Sequence, residues 1–317
     1  MWNTAAASAA SADWPRPPEP DRKHVSAPDH SDGRAGEVSG DSNLHTRVTS
    51  AVVLIPVALI VTYIGGWLFA VLCMVAASGI LWEWTSLAAG RAEARVLVPG
   101  WAGLLIAGAL AGLGLPSAAA GVVLVEAVLA ALAVVAWPRD DDTLDPAGWA
   151  AGGVVYAGIA LLPSILLRND SNWGLTALYF LFATVWITDI FAYFCGRLIG
   201  GPSLWPAVSP KKTWSGAIGG AVGGVAAGIT VAYAAGTAKL GIVGIMALLL
   251  SLLAQTGDLF ESGVKRRFGA KDASQLIPGH GGLMDRLDGY IAAALAAVLI
   301  GILHAGIGSP AKGLLVW

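Results

Sequence analysis

What this chain has least of is charge. Asp, Glu, Lys and Arg make up 13% of its 317 residues, against about 25% in soluble domains, and that excludes an ordinary water-soluble fold. Cysteine is scarce as well. Only Cys73 and Cys195 occur, both inside apolar runs, so neither a disulfide framework nor a thiolate metal site is expected. Residues 1–43 lack any apolar periodicity and are rich in Pro, Ser, Asp and Ala. Such a segment cannot bury enough surface to offset its ordering entropy, and it is expected to be a disordered tail. The first apolar run starts only near Val48, so a cleavable signal peptide is not expected. A net charge of −2 selects no class of partner, and no nucleic-acid partner is expected.

The remainder is apolar: 56% of the residues are hydrophobic. They fall in repeated runs of about 17–25 residues, the length that crosses a bilayer as a helix. Nine spans are predicted, near residues 46–64, 67–86, 97–114, 118–137, 149–167, 174–195, 215–235, 239–257 and 289–307. The expected fold class is therefore an all-α polytopic membrane protein, with residues 44–317 as one membrane domain. Gly65-Gly66 joins the first two spans as a tight hairpin, and Trp67, Trp82, Trp84, Trp101, Trp137, Trp149 and Trp173 stand near run ends, as an interfacial belt requires.

The sign of the few charges gives an orientation. With nine spans, the N-terminal tail and alternate connections share one side. Of nineteen Lys and Arg, only Arg168, Lys239 and Lys312 fall on the other. By the positive-inside rule the N-terminus is cytoplasmic. The seventh span opens SGAIGGAVGGVAAG, with Gly216, Gly219, Gly220, Gly223, Gly224 and Gly228 at overlapping GxxxG spacings. Packing within the subunit is the expected use of this stripe, and a homodimer seam is the alternative.

One stretch gathers charge: SGVKRRFGAKDASQLIPGHGGLMDRLD, residues 262–288. Just before it, Asp258 and Glu261 share a helical face with Ser262 and Lys265; alone, this stripe suits a solvated helix end equally well. Pro278, Gly279, Gly281 and Gly282 form a loop with little side-chain bulk around His280, open to an anion on its amides. Asp285 and Asp288 then stand at i and i+3 on a helix entering the ninth span. Carboxylates at a membrane entrance need partners. Mg²⁺, one ion or two, is the natural candidate because it takes carboxylates together with substrate phosphates. Asp258, Asp285 and Asp288 are the expected ligands; a structural network with Arg286 and Lys271 is the alternative. On the same side lie Asp189, inside the sixth span, and VSPKKTWSG. The Ser209, Lys211, Lys212 and Thr213 of that segment suit a phosphate at a helix start. Glu126 in the fourth span has no evident partner.

At these residues the chain resembles the phosphatidate cytidylyltransferase (CDP-diacylglycerol synthase) family. Ser262, Val264, Lys265, Arg266, Lys271, Asp272, Ser274, Ile277, Pro278, His280, Gly281, Gly282, Asp285, Arg286, Leu287 and Asp288 all match the family signature. Similar but less specific elements are Asp189 with Ala192-Tyr193 and Gly196-Arg197, SPKKTWSG, Asp258-Leu-Phe-Glu261, and RVTSAVVLIP with the later Glu83-Trp84. The resemblance spans about residues 46–307 and implies attack of phosphatidic acid on the α-phosphorus of CTP. Pyrophosphate would leave, and CDP-diacylglycerol would form on the cytoplasmic side of the inner or plasma membrane. It places Asp258, Asp285, Lys265, Lys271 and His280 in the chemistry, His280 as a phosphate contact before a base. Ser209, Lys211, Lys212, Thr213, Ser262, Arg266, Gly281, Gly282 and Arg286 fall to substrate phosphates, with Asp189 and Asp272 as further members.

Three other readings fit less well. A CTP-dependent polyprenol kinase resembles the family only in part and does not account for the full signature. The Asp-Gly-x-x-Ala-Arg pattern of CDP-alcohol phosphotransferases is absent. A secondary transporter would show internal repeats with paired broken helices near the midplane, and none is evident.

Overall fold

The computed structural model describes residues 52–138, 146–277 and 281–317. The expected tail, the start of the first span, and Pro278, Gly279 and His280 lie outside the described residues. The described chain is a helical bundle. Its helices are α1 (Val52–Ile64), α2 (Gly66–Ala89), α3 (Ala94–Gly112), α4 (Pro116–Ala136), α5 (Pro146–Arg168), α6 (Gly174–Ile199), α7 (Trp214–Ala234), α8 (Leu240–Arg267), α9 (Met284–Ala305) and α10 (Pro310–Leu315). Among the described residues, eight helices, α2 to α9, are long and apolar enough to cross a membrane. They correspond to the second through ninth predicted spans.

Two features depart from the predicted elements. SPKKT is a strand: β2 (Ser209–Thr213) pairs antiparallel with β1 (Ser203–Trp205) as a short hairpin between α6 and α7. In addition, α8 runs about three turns beyond its predicted end at residue 257. The hydropathy falls at Asp258, but nothing in Asp258–Arg267 breaks a helix.

α5 is the hub, packing on α2, α3, α4, α6 and α9. Ala157, Leu161, Ile165 and Val154 are buried there against Ile80, Leu81 and Leu104. The α6–α7 pair is the closest. A Cβ at Gly216 would stand 2.7 Å from the Ala192 carbonyl oxygen, and one at Gly220 2.8 Å from that of Thr188. Gly219 and Gly223 meet Cys195 and Phe191 in the same way. The GxxxG stripe is therefore filled by α6 of the same chain, as the intrasubunit reading anticipated.

Hydrogen bonds sort the connections onto two ends of the bundle. At one end Arg168 donates to the Thr62 carbonyl (2.7 Å), Asn169 to that of Ala111 (2.8 Å), and the Lys312 amide to Asp170 (3.1 Å). Gly65 has φ 69°, and a side chain there would collide with the Arg168 guanidinium. At the opposite end Arg95 bonds the Trp137 carbonyl, Lys212 pairs with Asp258, and Glu83 bonds the start of α9. This alternation is the one on which the charge partition was counted, and it puts the charge-rich stretch at the second end.

Candidate active site

The overrun of α8 carries the predicted stripe. Asp258, Glu261, Ser262 and Lys265 project from one face, and the Ser262 hydroxyl stands 3.5 Å from Asp258 Oδ1. Lys265 Nζ sits between Glu261 Oε2 (2.7 Å) and Asp285 Oδ1 (2.5 Å). It joins α8 to the first turn of α9. Both carboxylates are buried, Glu261 almost wholly, so this is an interior ion pair and not a solvated helix end.

The start of α9 is held by side chains, because a helix leaves its first amides without intrahelical partners. Asp285 Oδ2 accepts from the Gly282 amide (2.8 Å) and the Ala273 amide (3.0 Å). Glu83, fully buried on α2, takes the next two: Leu283 N–H to Oε1 (2.7 Å) and Met284 N–H to Oε2 (2.6 Å). The Ser274 hydroxyl adds a third bond to Glu83 (2.5 Å). A carboxylate at a helix N-terminus also meets the favourable end of the macrodipole. Glu83→Gln turns one acceptor into a donor facing a buried N–H, at a cost of about 1–3 kcal/mol. The thermal midpoint in detergent is expected to fall; an unchanged midpoint would show that the cap is dispensable.

Beyond that cap, Asp258, Glu261 and Asp288 each offer a carboxylate oxygen within 4.8 Å of the other two. Lys212 reaches from β2 to pair with Asp258, and the Gly289 amide donates to Asp288 Oδ1 (2.7 Å). Glu261 has both oxygens sealed from solvent. Apart from the ion pair with Lys265, neither has a hydrogen-bond partner among the described residues. Three close carboxylates repel one another, and an unengaged buried oxygen is costly. A divalent cation relieves both, and hard oxygen donors of this kind are what Mg²⁺ takes. The cluster can hold a metal ion.

Asp189, exposed on α6, shares this electrostatic neighbourhood with Asp258, Lys212 and Arg286. The structure thus brings together Asp189, Lys212, Asp258, Ser262, Lys265, Asp285 and Asp288. Thr213 acts as the N-cap of α7, accepting from the Gly216 amide (3.2 Å). The Ser209 carbonyl accepts from the Ser203 hydroxyl (3.4 Å), across the hairpin. Lys211, Arg266, Lys271, Asp272 and Arg286 are exposed around the cluster, and Arg266 also donates to the Ala270 carbonyl (3.0 Å). Gly281 has φ 83° and forms a bridge with Ile277, while Gly282 is buried against Glu83 and Asp285. His280 falls among the residues not described. Glu261 was not among the predicted ligands, although it stands one turn from Asp258 on the same face. Asp285, which was, lies beside Glu261 and is engaged by Lys265 and two amides.

Residues 45–303 match the model of the cytidylyltransferase family. The chain belongs to that family. A protein of Brucella abortus biovar 1 (strain 9-941) named phosphatidate cytidylyltransferase is 45% identical over 264 residues, which is 83% of this chain and 95% of that protein. One of Staphylococcus haemolyticus with the same name is 38% identical over 139 residues, 44% of this chain and 52% of its own. The family match begins at the edge of the first predicted span and ends inside α9, so it takes in the whole site.

Proposed function

We propose that this protein transfers the cytidylyl group of CTP to phosphatidic acid, giving CDP-diacylglycerol and pyrophosphate. The observation that carries this reading is a cytidylyltransferase chain with three carboxylates within 4.8 Å at one end of eight apolar spans. One substrate has its acyl chains in the bilayer and the other arrives from water, so the reaction belongs at a bundle end. An oxygen of the phosphatidate phosphate attacks the α-phosphorus of CTP. A P–O–P bond forms, the α–β bond breaks, and pyrophosphate carries away the electron pair. The nucleophile is already an anion, so the step does not depend on a side chain to remove a proton.

Asp258, Glu261 and Asp288 are the residues that would hold Mg²⁺. When bound, Mg²⁺ screens the phosphates from one another and stabilises charge developing on the pyrophosphate. The protein's own contribution is position and charge. Lys265 fixes Glu261 and Asp285, and Lys212 carries a positive charge to the cluster from the β-hairpin. The exposed Lys211, Arg266, Lys271 and Arg286 offset repulsion between two polyanionic substrates. Phosphorus-31 NMR of the products tests the reaction. Two coupled resonances of a lipid diphosphate diester, with free pyrophosphate, are expected. Release of CDP with no nucleotide in the lipid would instead show a kinase.

The site is assigned to the cytoplasmic side. Support comes from the basic residues, sixteen of nineteen on the tail's side of the predicted topology. A Lys271→Cys variant, with Cys73 and Cys195 replaced by Ala, is expected to react with an impermeant maleimide only in inside-out vesicles. Labelling in right-side-out cells would reverse the orientation.

A further inference from the structure

Tyr156 lies on α5, outside every segment of the signature, and its hydroxyl is sealed from solvent without a hydrogen-bond partner among the described residues. Its ring is fixed between Trp84 of α2 (centroids 5.2 Å apart) and Phe260 of α8 (6.0 Å). The charges acting on the hydroxyl are the carboxylates of Asp288, Glu261, Asp258 and Asp285. The phenol on α5, its ring against Phe260 next to Glu261, therefore lies in the electrostatic neighbourhood of the acidic cluster carried by α8 and α9.

Two orphaned groups of opposite kind thus stand in one electrostatic neighbourhood. Tyr156 offers an O–H with no acceptor, and Glu261 offers an oxygen with no donor. Leaving a buried donor or acceptor unsatisfied costs about 1–3 kcal/mol each. A direct bond would satisfy both, yet none forms. Both are satisfied by an interposed oxygen that accepts from the phenol and is bound to a cation held by the carboxylates.

We infer that Tyr156 is a further binding residue of this site, donating its hydroxyl to an oxygen carried by the cation at Asp258, Glu261 and Asp288. This rests on the cation reading above. The oxygen belongs either to a water on the ion or to a phosphate of the nucleotide. Groups that hydrogen-bond ligands in this way commonly alter metal affinity by about 10–100-fold when removed.

The test is Tyr156→Phe, which keeps the ring between Trp84 and Phe260 and deletes only the hydroxyl. Mn²⁺ binding to the purified full chain in detergent is followed by electron paramagnetic resonance, with and without a CTP analogue carrying a methylene between the α- and β-phosphorus. If the oxygen is water, Mn²⁺ binds about tenfold more weakly with or without the analogue. If it is a phosphate oxygen, the loss appears only with the analogue. In either case the metal-free thermal midpoint does not fall, because an unsatisfied donor has been removed. Mn²⁺ affinity within twofold of wild type in both arms would overturn the inference and leave an ordinary buried water as the phenol's partner. Wild-type protein that binds no Mn²⁺ in either arm would overturn the cation reading, and this inference with it.

Discussion

Asp288→Asn is expected to abolish most cytidylyl transfer, by about 10²–10³-fold, while raising the thermal midpoint of the metal-free protein. The two effects have one cause. Asp258, Glu261 and Asp288 hold three carboxylate oxygens within 4.8 Å, and like charges so close oppose one another. Lys212 pairs with Asp258 and Lys265 with Glu261. Asp288 Oδ1 accepts from the Gly289 amide. Asn keeps a carbonyl oxygen for that amide and drops the charge. The apo fold loses repulsion, and the site loses a ligand. Added Mg²⁺ stabilises whichever state binds it, so it is expected to raise the midpoint of wild type more than that of the variant. A variant that unfolds earlier than wild type, yet still transfers, would contradict this account of the cluster.

Lys265→Met is expected to have the largest effect on stability. The lysine side chain is 11% exposed, and its two partners, Glu261 and Asp285, are 1% and 8% exposed. Those values separate it from surface pairs, which contribute at most about 1 kcal/mol. Removing one partner of a buried pair costs about 3–5 kcal/mol, because the other charge stays behind unpaired. Here two carboxylates stay behind, and one of them, Asp285, also holds the Gly282 and Ala273 amides. Denaturant unfolding in detergent should show the loss. The double variant Lys265→Met with Glu261→Gln should recover part of the stability and none of the activity. Wild-type stability in Lys265→Met alone would mean that the lysine does not hold α8 to α9.

Much of this was legible in the sequence because lipid imposes a simple rule. A run of apolar residues long enough to cross a bilayer must be helical there, so α2 to α9 follow from hydropathy and length. The stripe on α8 was also visible, since helical periodicity alone puts Asp258, Glu261 and Lys265 on one face. Which carboxylates meet depends on how α8 and α9 are turned toward each other. Periodicity within one helix says nothing of that. Asp285 and Asp288 look equivalent in sequence, yet Asp285 faces the loop and Lys265 while Asp288 faces Asp258 and Glu261.

The partners of Glu83, and the place of Tyr156, were beyond reach for a different reason. Each approaches the signature from a distant helix, and Glu83 bonds residues two hundred positions away. A glutamate in an apolar run signals that a partner exists without saying where. A tyrosine in such a run signals less, because most are interfacial or packed. The strand at Ser209–Thr213 was hidden by length, since five residues carry too little alternation to separate a hairpin from a helix-start loop.

The most direct test of the central claim follows ring-labelled CTP into lipid. Purified protein in mixed micelles with phosphatidate and Mg²⁺ is compared with Asp288→Asn. Wild type is expected to move the ring label into the lipid phase with an equal amount of pyrophosphate released, and the variant to move almost none. Folded wild-type protein that transfers no ring label with any divalent cation would contradict the account.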